Sequence, residues 1–240
     1  MTLMTKEEAI EWAKQVVDAH PRTLNDPADL LKNHLPMTYD IASETVDLIN
    51  KHCELKLSRE AIALAGGLHD IGRALRKDQD FHEVLGYWFI KSNGLENGVA
   101  DSQGEVDNIA RIMLPHGSVY ETWVTASYVE KREAFLKEQR EYVAQFGEIN
   151  PDNLLPSRLA QSIVDYSELS NSKGKRVAYR ERLEEAIERY KKSGDSRTEC
   201  IIKGSERRIR KADFVNSLRE GKFNNTTLMN HLNEVSFALH

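Results

Sequence analysis

Four histidines and two aspartates carry the chemistry this sequence could perform. His69 and Asp70 sit side by side in an otherwise apolar stretch, IALAGGLHDIGRAL, residues 62–75. Ala61, Leu64, Ala65, Leu68 and Leu75 form one stripe at helical spacing, and His69 lies beside it. Burying an imidazole and a carboxylate without partners is costly. Taken alone, the pair reads as a hydrogen-bonded core histidine and a capping or salt-bridged aspartate. The rest of the chain changes that balance. Ile109, Ile112, Met113 and His116 follow i, i+3, i+4, i+7, so His116 ends an apolar face. His82 lies between Phe81 and the Val84/Leu85 pair, with Gly86 one turn later to admit a close neighbour. His34 shares a face with Thr38 and Ala42, small residues that leave room above a site. Asp165 follows the apolar pair Ile163-Val164. One metal centre would satisfy them all, since a divalent ion accepts imidazole nitrogens and carboxylate oxygens and offsets their desolvation. His69 and Asp70 would be about 100° apart on a helix, so they can flank one ion, or Asp70 can bridge two.

The elements that must position these residues are helical. Thr5 and Glu8 form a capping box before EEAIEWAKQVVDAH, and His20-Pro21 ends that helix. Residues 38, 41, 42, 45, 46 and 49 carry helical spacing through the segment 25–52. Ser58 caps a helix expected to run through the His-Asp pair to Leu75. Helices are also expected over FHEVLGYWFIKSNG, over EVDNIARIMLPHG, as one long charged helix over residues 121–147, over PSRLAQSIVDYSEL, and over RVAYRERLEEAIERYKKSG. TECIIK (198–203) and EVSFAL (234–239) read as extended. SNSKGK (170–175) marks the boundary between a core, residues 1–170, and a C-terminal extension, residues 171–240, packed on it. The fold class expected is all-α.

Composition bounds the rest. Hydrophobic residues are 40% and charged residues 30% of the chain, which suits a globular protein rather than a disordered one. No apolar run approaches a membrane span, and the N-terminus has no signal-peptide pattern. Two cysteines without a CxxC exclude a disulfide framework and suit a reducing cytoplasm. Net charge divides unevenly: residues 1–170 hold 17 Lys/Arg against 28 Asp/Glu, a balance of −11, and residues 171–240 hold 16 against 10, a balance of +6. Solvated helix faces account for most such runs; the sharper reading is a basic region that attracts a phosphorylated ligand. Competing chemistries lack their motifs. HEVLG has no second zinc-protease histidine, Gly66-Gly67 falls inside a helix rather than in a Walker loop, and no GxSxG is present. His20, His52, His231 and His240 fall outside the pattern and are expected at the surface.

The ordered set His34, His69-Asp70, His82, His116 and Asp165 resembles the HD superfamily of metal-dependent phosphohydrolases over about residues 30–170. LHDIGR is close to the usual LHDIGK, HEVLG resembles the frequent second histidine, and IARIMLPHG resembles the third. The sequence departs from the pattern at Pro36, two residues after His34, and at Arg73, which replaces the common lysine. The resemblance implies an all-α helical bundle with His34, His69, Asp70 and Asp165 on one metal and Asp70, His82 and His116 on a second. Iron, manganese, zinc or cobalt would suit such donors better than magnesium. It implies hydrolysis of a phosphate ester or anhydride in a small nucleotide-type substrate by metal-activated water, with His69 and Asp70 at the catalytic centre. Arg73 would hold a substrate phosphate, and Lys77 either does so or is an ordinary solvated helix end. Two alternatives stand beside this one. A nuclease acting on single-stranded nucleic acid would use the basic C-terminal region, against which stands the acidic core. A non-catalytic nucleotide-binding module would have no need of all six positions.

Overall fold

Thr5 opens the first helix through the expected reciprocal cap: its Oγ1 accepts from the Glu8 amide while the Glu8 carboxylate accepts from the Thr5 amide at 2.8 Å. The structure is a computed structural model that describes residues 2–21, 24, 26–77, 79–194 and 197–222. In chain order the helices are α1 (Lys6–Ala19), a single turn α2 (Pro27–Asp29), α3 (Leu35–Cys53), α4 (Arg59–Leu68), α5 (His82–Asn93), α6 (Gln103–Met113), α7 (Val119–Val124), α8 (Val129–Glu138), α9 (Arg140–Phe146), α10 (Leu159–Leu169), α11 (Tyr179–Ser193) and α12 (Thr198–Arg219). A π-helical turn, Leu30–His34, joins α2 to α3, and Pro36 sits in the first turn of α3, directly after it. Among the described residues, strands are confined to the hairpin β1 (Asn171–Ser172) and β2 (Lys175–Arg176). The fold is thus predominantly helical. No described helix is long and apolar enough to cross a membrane.

The core is built around α3 and α4, which pack along each other, with α10 laid against both and α12 against α10 and α3. Helix α4 is buried from Ala61 to Leu68. Its contact with α3 is close because Gly66 has no side chain. A Cβ there would meet the Ala42 methyl at 3.2 Å and the Thr38 carbonyl oxygen at 3.3 Å. The room above Thr38 and Ala42 is therefore taken by α4, not held open for a ligand. A second, smaller core gathers Phe81, Trp88, Trp123, Tyr128 and Phe135 beneath α5, α7 and α8.

Three local expectations need correction. Helix α4 stops at Leu68, so His69 and Asp70 lie at its C-terminal end; a 3₁₀ turn, Ile71–Ala74, follows. The charged helix expected over 121–147 is broken by an extended Thr125 and again at Gln139, because Trp123, Tyr128 and Phe135 all have to reach one aromatic cluster. TECIIK opens the 22-residue α12. The segment SNSKGK, read as the boundary of the extension, carries β1 and the hairpin turn, with Lys173 (φ 51°) and Gly174 (φ 73°) both left-handed, as a tight two-residue hairpin turn requires. EVSFAL, His231 and His240 lie outside the described residues. His20 and His52 are exposed, as expected.

Candidate metal centre

Five of the six expected ligands converge. Asp70 stands at the centre, 2% exposed, with its two oxygens facing opposite ways. Oδ2 lies 3.1 Å from His34 Nε2 and 3.6 Å from His69 Nε2. Oδ1 lies 2.9 Å from His82 Nε2 and 3.5 Å from His116 Nε2. Two groups of metal-competent donors result, His34–His69–Asp70 and Asp70–His82–His116, the donor atoms of each lying within 4.8 Å of one another. The rings interleave, with His69 against His34 at 5.0 Å and against His116 at 4.8 Å between centroids.

Local structure aims these rings. His69, His82 and His116 each present Nδ1 to the carbonyl three residues earlier: Gly66 at 2.7 Å, Gln79 at 2.9 Å and Met113 at 2.6 Å. A carbonyl only accepts, so each Nδ1 carries a proton and each ring turns its Nε2 toward Asp70. The fit to a cation is tested by the buried atoms left over. Asp70 Oδ1, His82 Nε2 and His116 Nε2 are sealed from solvent and lack an aligned hydrogen-bond partner in the protein. Three buried metal-competent atoms without an aligned hydrogen bond, converging on one place, suit a ligand set. His34 is held differently: Asn171, fully buried on β1, brings its Nδ2 to 3.3 Å from His34 Nδ1 and also donates to the His34 carbonyl at 2.9 Å and to Thr38 Oγ1 at 3.0 Å.

The sixth residue is placed elsewhere. Asp165, on α10, belongs to neither donor group. Its Oδ1 accepts from Arg208 Nη2 at 2.7 Å and from the Gly117 amide at 2.9 Å, and Arg208 Nε reaches both of its oxygens. Arg208 also binds Glu168 at 2.6 Å. Of the two cations expected at a phosphate, Arg73 has its Nε 2.8 Å from Asp70 Oδ1, and Lys77 is exposed; both line the cavity that opens over the centre.

Electrostatics follow from this crowding. Burial pushes the His69 imidazolium down to about 3, with the His116 and His34 rings adding to the effect, so His69 is neutral. Burial also opposes a charge on His116, but Asp70, Glu83 and Glu168 outweigh it and raise that group to about 9. Burial alone would raise Asp70, yet Arg73 and the surrounding imidazoles hold it well below the usual carboxylate range. Glu168 is lowered to about 2 against its burial, chiefly by Arg208.

Sequence reasoning missed Glu83, Glu168, Arg208 and Asn171. Glu83 adjoins His82, and Glu168 follows Asp165 by one turn of the same helix face, so both carried a local signal. Arg208 is one of several cations in a basic run and Asn171 a residue in a turn; neither could be singled out without the fold. The cavity measures about 390 Å³ and is walled by residues of α11 and α12 as well as by the centre. Compared with known proteins, the chain matches no family model, no curated protein and no solved structure, so what it does rests on its own residues and geometry.

Proposed function

We propose that the protein is a metal-dependent phosphohydrolase of the HD type, acting on a phosphate ester or anhydride of a nucleotide-type substrate. The observation that carries the reading is Asp70, buried between two groups of imidazole Nε2 atoms with one group facing each oxygen. On this reading His34, His69 and Asp70 hold one divalent ion and Asp70, His82 and His116 a second, with iron, manganese, zinc or cobalt favoured by the nitrogen-rich donor set. Asp165 joins the first group only where Arg208 releases one of its oxygens. The bound ions would lower the pKa of water and neutralise charge on the phosphoryl group.

The chain's own residues do the rest. The three Nδ1–H to carbonyl bonds fix the rings before any ion arrives, so little ordering cost remains at binding. Arg73, whose charge is secured by Asp70, stands on the cavity wall where a phosphate oxygen can pair with its fork. A cavity of about 390 Å³ lies within the range of small-molecule sites, which fits a nucleotide better than a nucleic-acid strand. The test is metal content of the purified protein together with a screen of phosphate esters, comparing wild type with Asp70→Ala. Bound metal and a phosphatase or phosphodiesterase activity absent from the variant are expected. A metal-free protein whose behaviour the substitution leaves unchanged would overturn the reading.

A further inference from the structure

The cavity has a second pole that the metal centre does not explain. One face of α11 lines it, through Arg182, Leu183, Ala186, Arg189 and Tyr190, spaced as successive turns of a helix. The start of α12 adds Arg197, and the segment after the 3₁₀ turn adds Lys77. These groups are neighbours. Arg197 lies 3.7 Å from Asp80, three residues beyond Lys77, and its guanidinium sits 5.0 Å over the Tyr190 ring. The cations nearer the centre are already paired: Arg73 with Asp70, Arg208 with Asp165 and Glu168, and on α11 Arg182 with Glu185 at 3.2 Å. Lys77 and Arg189 have no carboxylate partner among the described residues, and both face the cavity. Of the carboxyl groups that line the cavity, Asp70, Glu83 and Glu168 lie at the metal pole, and Asp26 and Asp29 lie at the short α2. Such a wall, with two cations that lack a carboxylate partner among the described residues and an aromatic ring beneath a third, is built for an anion with several oxygens.

From this arrangement we infer a second phosphate subsite, formed by Lys77, Arg189 and Arg197, that takes a phosphate other than the one at the metals. The inference rests on the phosphohydrolase reading and names its substrate class: compounds carrying two or more phosphates rather than nucleoside monophosphates. The basic C-terminal extension then has a use specific to this chain, since α11 and α12 supply the subsite.

The experiment is calorimetric binding to the full-length, metal-loaded protein, with inorganic phosphate and with methylene-bridged di- and triphosphonates, which resist hydrolysis. Wild type should bind the longer triphosphonate at least tenfold more tightly than phosphate. Arg189→Gln should lose about tenfold for the triphosphonate, the worth of one charge-assisted contact, and nothing for phosphate; Arg189→Lys should restore part of the loss. Because chelation of free metal is the same for every variant, it cannot mimic this difference. Equal binding of phosphate and triphosphonate by wild type, or no effect of Arg189→Gln, overturns the subsite. Hydrolysis of phosphate esters without any preference for the longer anion would remove the subsite and leave the enzyme. Binding that depends on Arg189 in a protein that hydrolyses no phosphate ester would keep the subsite and remove the enzyme.

Discussion

Three histidines reach the centre by the same local device, an Nδ1–H bond to the carbonyl three residues back, and this makes the site sensitive to backbone shifts of a fraction of an ångström. Gly72 shows how little slack there is. A Cβ at that position would lie 1.9 Å from the His82 carbonyl oxygen and 2.7 Å from the Gly86 amide nitrogen. Both are backbone atoms and cannot rotate away. Gly72→Ala must therefore push the first turn of α5 off the 3₁₀ turn and carry His82 Nε2 away from Asp70 Oδ1. The expected cost is about 1–3 kcal/mol of stability, with weakened binding of the ion held by Asp70, His82 and His116. Gly104→Ala is the matched control, because a Cβ there meets nothing within 4 Å. Thermal unfolding and metal titration of both variants check this; a Gly72→Ala protein that keeps wild-type stability and full metal stoichiometry would show that the backbones are not in contact as described.

At the scale of elements, the decisive piece is α12, and it is the piece sequence alone read least well. TECIIK reads as a strand because threonine, cysteine and isoleucine favour one locally. In the fold Cys200 is fully buried beside Thr125, and the strand preference yields to a helix that packs on α7, α10 and α3. The converse case is the metal centre itself. His69-Asp70, His82 and His116 were legible because helical spacing puts them at the ends of apolar faces, and those faces are set by sequence. Asp165 was legible as a buried aspartate but not as the partner of Arg208, since no periodicity reports contacts forty residues apart. That contact yields a prediction. Arg208→Met leaves Asp165 and Glu168 without their cation and should destabilise the protein by about 3 kcal/mol at pH 7. The pH sign follows from Glu168. Its native carboxyl sits near 2, below the unfolded value, so its contribution is full above the ordinary carboxylate range and is lost as pH falls through that range toward 2. In the variant that contribution is already absent. Urea unfolding should therefore show the gap between the two proteins widest at pH 7 and narrower at pH 4; a gap that stays constant or widens with acid would mean the pair is not what α12 contributes.

For the molecule as a whole, the fold draws four carboxyl groups from three places, Asp70 after α4, Glu83 on α5, and Asp165 and Glu168 on α10, toward one interior. Among the described residues it sets two guanidiniums, Arg73 and Arg208, against them. An interior with that imbalance attracts whatever cation is available. Without metal the cation is a proton, and His116 is where it goes: Asp70, Glu83 and Glu168 overcome the penalty of burial and hold its imidazolium up to about 9. His69, a few ångströms away but held to about 3, stays neutral and takes no part in this exchange. A divalent ion on His116 Nε2 must displace that proton, because an imidazolium has no lone pair to give. Metal affinity of the metal-free protein should therefore rise about tenfold per pH unit from pH 6 toward 9 and level off above it. Titration at pH 7 in buffers of different ionisation enthalpy should show about one proton released as the group containing His116 fills. His116→Gln should bind more weakly and lose that release, whereas the ordinary histidine range near 6.5 would leave little proton to displace at pH 7 in an unperturbed site. Affinity that is flat between pH 6 and 8, or loading without proton release, would mean that the buried carboxyl groups are balanced by some cation other than His116.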